Sequence, residues 1–550
     1  MLNKFDFIIV GAGSAGCALA YQLSALPHYS VLLLEAGPKD DSFFIGMPMG
    51  FAPLYGSVRD WKYRPEPNAT MPAPSSWIRG RTLGGSSSVN GMVYVRGQPE
   101  DYDHWCALGN HGWGWQDVLP VYRSMENHEL GADDYRGAGG PVDVTCSHEP
   151  NALSDAYIAA AAGVGMPTKP DLNRADQVGA GYFQRTIKGG RRVSAARAFL
   201  DKCKDRKNLT IMTDAMVRGL TFDASDRRRV TGVTFVKDGE LHSFAAQREV
   251  ILCGGTINSA QLLQLSGIGP EAHLSEFGIV SRSDLAGVGA NLQEHWNGGT
   301  VMKVGHGSLN GAMRGVGLVS NLLRYAFAKS GVMAMAAAQV GGFAKTRPEL
   351  TRANIQFHMA PVSVEPKNNP EDRIALTKVG GLTAFGCIMR PTPGGDVMIR
   401  SSDPNVHPRI RYEHLCSEED RRTMVDIVKL MRRIGEQPAL RAFGAEEIFP
   451  GTHVQSDDAI LTHVLKHGGL GYHPVGTCKM GVDAAAVVDP RLNVYGIEGL
   501  RVADASVIPV MPSGNTNGPA MMIGMKAGQM IIEDHRERVS FEAIRAMQPA

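Results

Sequence analysis

The sequence predicts an α/β chain with an α+β companion part, and three observations carry that expectation. A buried strand, a glycine turn and a helix open the chain in that order. A second short strand follows and ends in an acid. From residue 296 onward the pattern changes to amphipathic helical stretches mixed with extended apolar runs. At 550 residues the chain is too long for one compact core, so two domains or one large composite unit are expected.

Composition is that of an ordinary globular protein, 43% hydrophobic and 20% charged. The 56 basic and 55 acidic residues nearly cancel, to a net charge of +1, and no long run of like charge stands out. Nucleic acid and an acidic membrane surface are therefore not expected partners. Eight dispersed cysteines include no CxxC pair, which argues against a disulfide framework or a structural zinc site. The chain enters an apolar strand at once, without a charged region and cleavage site, and it has no run of ~18 apolar residues. A cytoplasmic protein without a transmembrane segment is expected, with peripheral membrane contact left open.

Residues Phe5 to Val10 read as a buried strand, and Gly11-Ala12-Gly13-Ser14-Ala15-Gly16 opens a helical run from Cys17 to Leu26. A second strand, Val31 to Leu34, leads into Glu35 and Ala36, with Glu35 standing 19 positions after the last glycine. Glycines there allow a tight turn, let a pyrophosphate rest on the helix N-terminus and permit close helix-to-strand packing, while Glu35 can accept hydrogen bonds from ribose hydroxyls. The whole context, rather than the bare GxGxxG, predicts dinucleotide binding.

Later stretches favour FAD, which flavin enzymes bury along its length using several distant segments. Residues 64–77 are Pro-rich and predict an extended loop or lid. Next comes Arg79-Gly80-Arg81-Thr82-Leu83-Gly84-Gly85-Ser86-Ser87-Ser88-Val89-Asn90-Gly91-Met92. Its Gly-Gly and serines offer N–H groups and hydroxyls to a phosphate or ring system, and Arg81 can balance pyrophosphate charge.

Together the blocks GAGSAG with Glu35, GRTLGGSSSVNG at 80–91, GTINSAQLLQLSGIG at 255–269, and YHPVGTCKMG with NTNGPAMMIG resemble those of the glucose-methanol-choline (GMC) oxidoreductases, FAD-dependent alcohol-oxidising enzymes. A further family-like block, GVGANLQEH, spans 287–295. The resemblance covers nearly the whole chain, in order. It implies a Rossmann-like FAD domain from residues 1–150, 195–295 and 468–550, and a substrate domain from 151–194 and 296–467 built on an antiparallel sheet with helices. Ala260 replaces a common Pro, a harmless change in a helix. Some relatives attach FAD through a histidine in the 80–91 loop; none is present here, which implies non-covalent FAD. By the same resemblance, Val217 contacts the adenine through its backbone, and Asn90, Gly91, Met92 and Val93 lie near the isoalloxazine edge. Asp504, with Ala505 beside it, contacts the ribityl and phosphate region, and Asn515 belongs with the cofactor-binding residues.

Strands are expected at Asn208–Val217, Val230–Val236 and Glu249–Cys253, and a helix at Asn258–Leu265. Lys188-Gly189-Gly190-Arg191-Arg192 reads as a solvated turn. Val319, Leu322, Leu323, Ala326 and Phe327 fall on one helical face, for which core packing is expected and membrane contact is the alternative. Val332–Phe343 and Ile355–Pro361 read as strands of an antiparallel sheet, one wall of the substrate cavity by the resemblance. Met333, Met335 and Met359 would be either an adaptable apolar wall or plain core. Glu418–Gly435 reads as a surface helix. His463 and His467 are four apart, a spacing that can bind zinc, but no HExxH, Cys pair or third ligand accompanies them, so no metal is expected.

Oxidising an alcohol requires loss of the hydroxyl proton and transfer of a hydride from carbon to flavin. A histidine suits the proton, and an amide suits the oxygen as charge develops on it. By the resemblance, His473 is the base and Asn517 its partner at the alkoxide. A lone His in a glycine-rich loop is otherwise more often structural. Choline-specific relatives hold the trimethylammonium head with a Glu, and alignment by eye puts Gln339 there, which favours an uncharged aliphatic or aromatic primary alcohol. Electrons are expected to pass to a quinone or similar acceptor. The alternatives are an O2-using oxidase, a choline dehydrogenase, and a hydroxynitrile lyase that keeps FAD without redox chemistry.

Overall fold

The first sheet grows from β1 (Lys4–Val10) and β2 (Val31–Leu34), whose apolar runs are almost fully buried, as strands covered on both faces must be. The computed structural model describes residues 4–71, 76–146, 149, 151–365 and 375–546, with side chains as far as residue 536. Part of the Pro-rich stretch 64–77 lies outside the described residues. β1 and β2 run parallel to each other and to β3 (Leu209–Met212). β4 (Met216–Phe222) and β5 (Val230–Lys237) form an antiparallel wing that joins through β6 (Glu240–Leu252). The expected single strand Asn208–Val217 is thus two strands, broken where Asp214 takes a left-handed φ of 54°.

β6 is long enough to serve two partners on one edge. Its first half pairs with β5, and its last residues, Val250 to Leu252, run parallel to Leu500–Val502 near the C-terminus. That pairing brings the end of the chain back to the nucleotide turn. Helices α1 (Ser14–Leu23) and α2 (Gly255–Leu265) start at the carboxyl ends of β1 and just after β6.

The second sheet is antiparallel throughout, with spatial order β8 (Val340–Ala344), β9 (Ile355–Ala360), β10 (Gly381–Ile388), β7 (Trp296–Lys303) and β11 (Glu446–Phe449); β12 (Gly469–Leu470) also pairs with the start of β7. The two-residue alternation of strands splits its side chains. Phe357, Met359 and Ala384 join a core with Met424, Ile427 and Met431 of the helix Glu418–Gly435. Asn297, His358, Phe385 and Cys387 instead line a cavity.

The expected strand Val332–Phe343 is strand only from Val340; Val332–Ala334 is a 3₁₀ turn in an alanine-rich stretch with little β-branching. Met333 packs on Met47 and Tyr325, Met359 lies in the helix-facing core, and neither they nor Met335 line the cavity. His463 and His467 lie against the ring of Phe449. Among the described residues no helix is long and apolar enough to cross a membrane.

Candidate active site

One cavity runs from the glycine turn of the first sheet to the inner face of the second. At its nucleotide end Gly11 has a φ of +103°, and a Cβ there would strike the Cys253 carbonyl at 2.5 Å, so only glycine closes this turn. At Gly13 an added Cβ would meet nothing closer than 3.9 Å, so the backbone at the N-terminus of α1 is open to a ligand. Glu35 closes the turn from below: Oε2 accepts the Ala12 N–H and Oε1 the Gly37 N–H, both at 2.9 Å. Burial pushes its carboxyl up to about 7. These features fit the pyrophosphate and ribose of a dinucleotide.

Gly11, Gly13, Ser14, Ala15, Glu35, Ala36, Gly85, Asn90, Gly91, Met92, Val93, Val217, Asp504 and Ala505 all line this cavity. Gly16 does not, because it packs against the Gly11 carbonyl. Nor does Arg81, whose guanidinium lies over the Trp61 ring; Arg79 lines the cavity instead. Asp504 is nearly fully buried, and its oxygens accept from Gly255 N at 2.8 Å, Ser259 Oγ at 2.6 Å and Ser506 N at 2.8 Å, so it also caps the start of α2. The hydroxyls of Ser87 and Ser88 are spent on the Gly84 and Leu83 carbonyls, leaving Ser86 at the wall.

The basic turn at 188–192 is only half solvated. Arg192 is buried and donates to the carbonyls of Ile45, Ser87 and Asn90 and to Asn90 Oδ1, tying the 85–92 loop in place. No sequence signal marked it apart from its exposed neighbour.

At the other end, two chain segments form an antiparallel ribbon. Trp296 pairs with Leu470 and Asn297 with Gly469, but the next bridge joins Gln293 to Val475. Two residues therefore separate the bridges on one side and four on the other. The surplus bulges outward, with Tyr472 at a φ of 63°, and carries His473 into the cavity. Glu294 holds the bulge: Oε1 accepts the N–H groups of His295 and His473 at 2.7 Å each, and Oε2 accepts Trp77 Nε1 at 2.9 Å.

A directional chain of hydrogen bonds runs through this ribbon. The Met389 carbonyl can only accept, so His295 Nε2 donates to it at 3.0 Å. Burial drops the His295 imidazole to about 4, so the ring is neutral and its Nδ1 is an acceptor. That nitrogen lies 2.9 Å from His473 Nδ1, which must then carry the proton. Burial, followed by the neighbouring His295, also holds His473 well below its ordinary value, leaving Nε2 bare. Asn515 Nδ2 donates to that nitrogen at 3.0 Å, while Asn515 Oδ1 accepts from Gln356 Nε2 at 3.0 Å.

The amide beside the histidine is therefore that of Asn515 and not of Asn517. Asn517 begins the C-terminal helix Asn517–Ala546, and its Oδ1 accepts the Ser14 hydroxyl at 2.7 Å, docking that helix on the nucleotide turn. The asparagines are two positions apart, enough to turn one toward each end of the cavity. His295 and Gln356 were not singled out in the sequence; the EH ending of GVGANLQEH was the available hint for the first.

Comparison with known proteins gives this geometry its setting. The GMC oxidoreductase family profile matches residues 5–297 with its N-terminal part and 391–524 with its C-terminal part. The chain belongs to the GMC oxidoreductase family. It is 39% identical over 542 residues to an alcohol dehydrogenase [acceptor] of Pseudomonas putida, spanning 96% of both chains. It is 40% identical over 538 residues to an oxygen-dependent choline dehydrogenase of Escherichia coli, spanning 96% of this chain and 94% of that one. Among solved structures, pyridoxine 4-oxidase from Mesorbium loti superposes with a TM-score of 0.85 at 29% identity over 96% of this chain and 98% of that one. A formate oxidase from Aspergillus oryzae RIB40 does so with a TM-score of 0.89 at 26% identity over 97% and 99%. This GMC oxidoreductase is an FAD-dependent enzyme acting on alcohols.

Proposed function

We propose that the enzyme oxidises an uncharged primary alcohol, aliphatic or aromatic, to the aldehyde and passes the electrons to a quinone-like acceptor. The observation behind the substrate is the wall of the cavity. Among the described lining residues the only carboxylates are Glu35 and Asp504, while the end near His473 presents His358, Phe385, Cys387, Asn297, Ala337 and Ala338. Nothing anionic there would hold a quaternary ammonium. Gln339 is buried behind this wall and Glu349 is exposed beside Arg347.

When bound, FAD supplies the two-electron acceptor for the hydride leaving the alcohol carbon. His473 Nε2 takes the hydroxyl proton. The Asn515 amide, relieved of Nε2 once that nitrogen is protonated, donates to the alkoxide oxygen. His295 acts as a positioning residue: its Nδ1 accepts from His473 and strengthens that bond when the ring becomes imidazolium. With no histidine in the 80–91 loop and Val89 packed against Ile45 and Leu54, the cofactor is held non-covalently, and acid precipitation should release it. The discontinuous division into FAD and substrate domains belongs to the same proposal and is supported by the two separate sheets.

An anaerobic panel of alkanols, aryl alcohols and choline, followed by loss of flavin absorbance, tests the substrate. Faster bleaching by choline than by every uncharged alcohol would overturn that part. Subsequent reoxidation by a quinone, rather than by air, tests the acceptor.

A further inference from the structure

The helix α3 (Gly315–Ala328) is apolar on two opposite sides. Leu318, Leu322 and Tyr325 face inward, where they pack with Met47, Met313 and Met333. Val316, Val319, Leu323 and Phe327 follow one another at helical spacing on the other side and are exposed, Val316 at 87% and Phe327 at 88%. The sequence-based expectation of a core stripe is therefore corrected: of that stripe only Leu322 is turned toward the core, and Val319, Leu323, Ala326 and Phe327 are left outside. A helix apolar all round needs cover on both sides, and this one has it on one. Phe43 and Phe44, 51% and 38% exposed, extend the patch; the Phe43 ring lies 5.8 Å from that of Tyr325.

We propose that this face docks on a membrane surface containing anionic lipid. The charge around it selects that occupant. No Asp or Glu occurs between Glu294 and Glu349, although the whole chain is balanced. Three cations rim the patch: Lys329, whose ammonium sits 5.7 Å from the Phe43 ring; Arg324; and Arg191, which lies beside Gly46. None of the three is in an ion pair with a described residue; of the acids nearby, Asp41 is paired with Arg59 at 2.7 Å, Asp40 feels the charge of Arg197, and Glu149 accepts the Gly331 N–H at 3.3 Å. A second copy of the chain, docked through the same face, would set these cations against each other, with Asp41 and Glu149 already engaged within their own copy. Apolar side chains within a basic rim are what an interfacial helix presents to a bilayer.

The face also leads to the cavity. Ile45 and Leu54 pack on the lining residue Val89, and the chain leaving α3 continues into Ala337 and Ala338 of the wall. The inference rests on the surface itself and holds whatever the alcohol is.

Flotation of the FAD-loaded protein with vesicles of phosphatidylcholine containing about 30% phosphatidylglycerol tests it, against pure phosphatidylcholine. The expected result is salt-sensitive binding to the anionic vesicles, lowered about tenfold or more in Leu323→Glu/Phe327→Glu and made insensitive to lipid charge in Arg324→Glu/Lys329→Glu. Turnover with a water-soluble dye acceptor stays unchanged in both variants, which shows that they fold and bind FAD. Absence of flotation, or flotation equal in the wild type and the first variant, overturns the proposal. So does a wild-type dimer in solution that the first variant dissociates, because the face would then belong to a second copy.

Discussion

Replacing His295 by Leu removes the acceptor for His473 Nδ1–H while keeping a side chain of similar size. In the wild type this bond is 2.9 Å long, and its far end is fixed on the Met389 carbonyl at 3.0 Å. A neutral hydrogen bond of this kind contributes about 1 kcal/mol, so its loss lowers the population of the tautomer with a bare Nε2 about fivefold. In the transition state the same bond is charge-assisted and contributes about 1.5–3 kcal/mol, which sets the expected fall in the rate of flavin reduction at about 10- to 100-fold. Anaerobic stopped-flow reduction at saturating alcohol reads this directly, with the FAD content of each preparation as control. His295→Gln should recover much of the rate, since its Oε1 can accept Nδ1–H. An unchanged rate in His295→Leu would show that the tautomer is set elsewhere. A loss as large as that of His473→Ala, without recovery in His295→Gln, would make His295 itself the group that handles the proton.

Three further outcomes follow from the same contacts. His473→Ala should slow flavin reduction about 10²- to 10⁴-fold with FAD still bound, whereas Asn515→Ala should cost about 10²-fold, and Asn517→Ala should leave reduction nearly intact but loosen FAD and lower the melting temperature. Because His473 is held below the ordinary 6.5, its basic form persists into acid, and kcat/KM should stay level down through pH 6.5 and fall only on a lower acid limb; a limb at or above 6.5 would contradict the burial described. Arg192→Ala leaves three buried carbonyls without their donor and should cost about 3 kcal/mol, read as a lower melting temperature and faster loss of FAD on dilution.

The nucleotide end was legible because its chemistry is local: strand, glycine turn, helix and Glu35 are contiguous enough for spacing to carry the meaning. His473 was singled out by the family resemblance of its block, since its glycine-rich surroundings alone suit a structural histidine as well. Its partners were not, because hydrogen-bond direction depends on which segments meet. Asn515 and Asn517 differ by two positions, and only the docking of the C-terminal helix on Ser14 shows which one turns to the histidine. The stripe on α3 shows a different limit: periodicity reports that a face is apolar and says nothing of what covers it. Arg192 was hidden for the opposite reason, since a residue beside an exposed neighbour can still point inward at a hairpin.

In the proposed mechanism the bulged ribbon carries the two histidines, while most of the cavity wall around them comes from other strands. His295 and His473 ride on 293–297 and 469–475, pinned by Glu294, while His358 and Phe385 project from β9 and β10. A protein engineer, or natural selection, can therefore resize the wall at His358 and Phe385 while His473, its positioning residue His295 and the Gln356 that holds Asn515 are kept. Such a division of labour would let one scaffold be retuned from alcohol to alcohol by a few substitutions, each tested without first rebuilding the reacting centre.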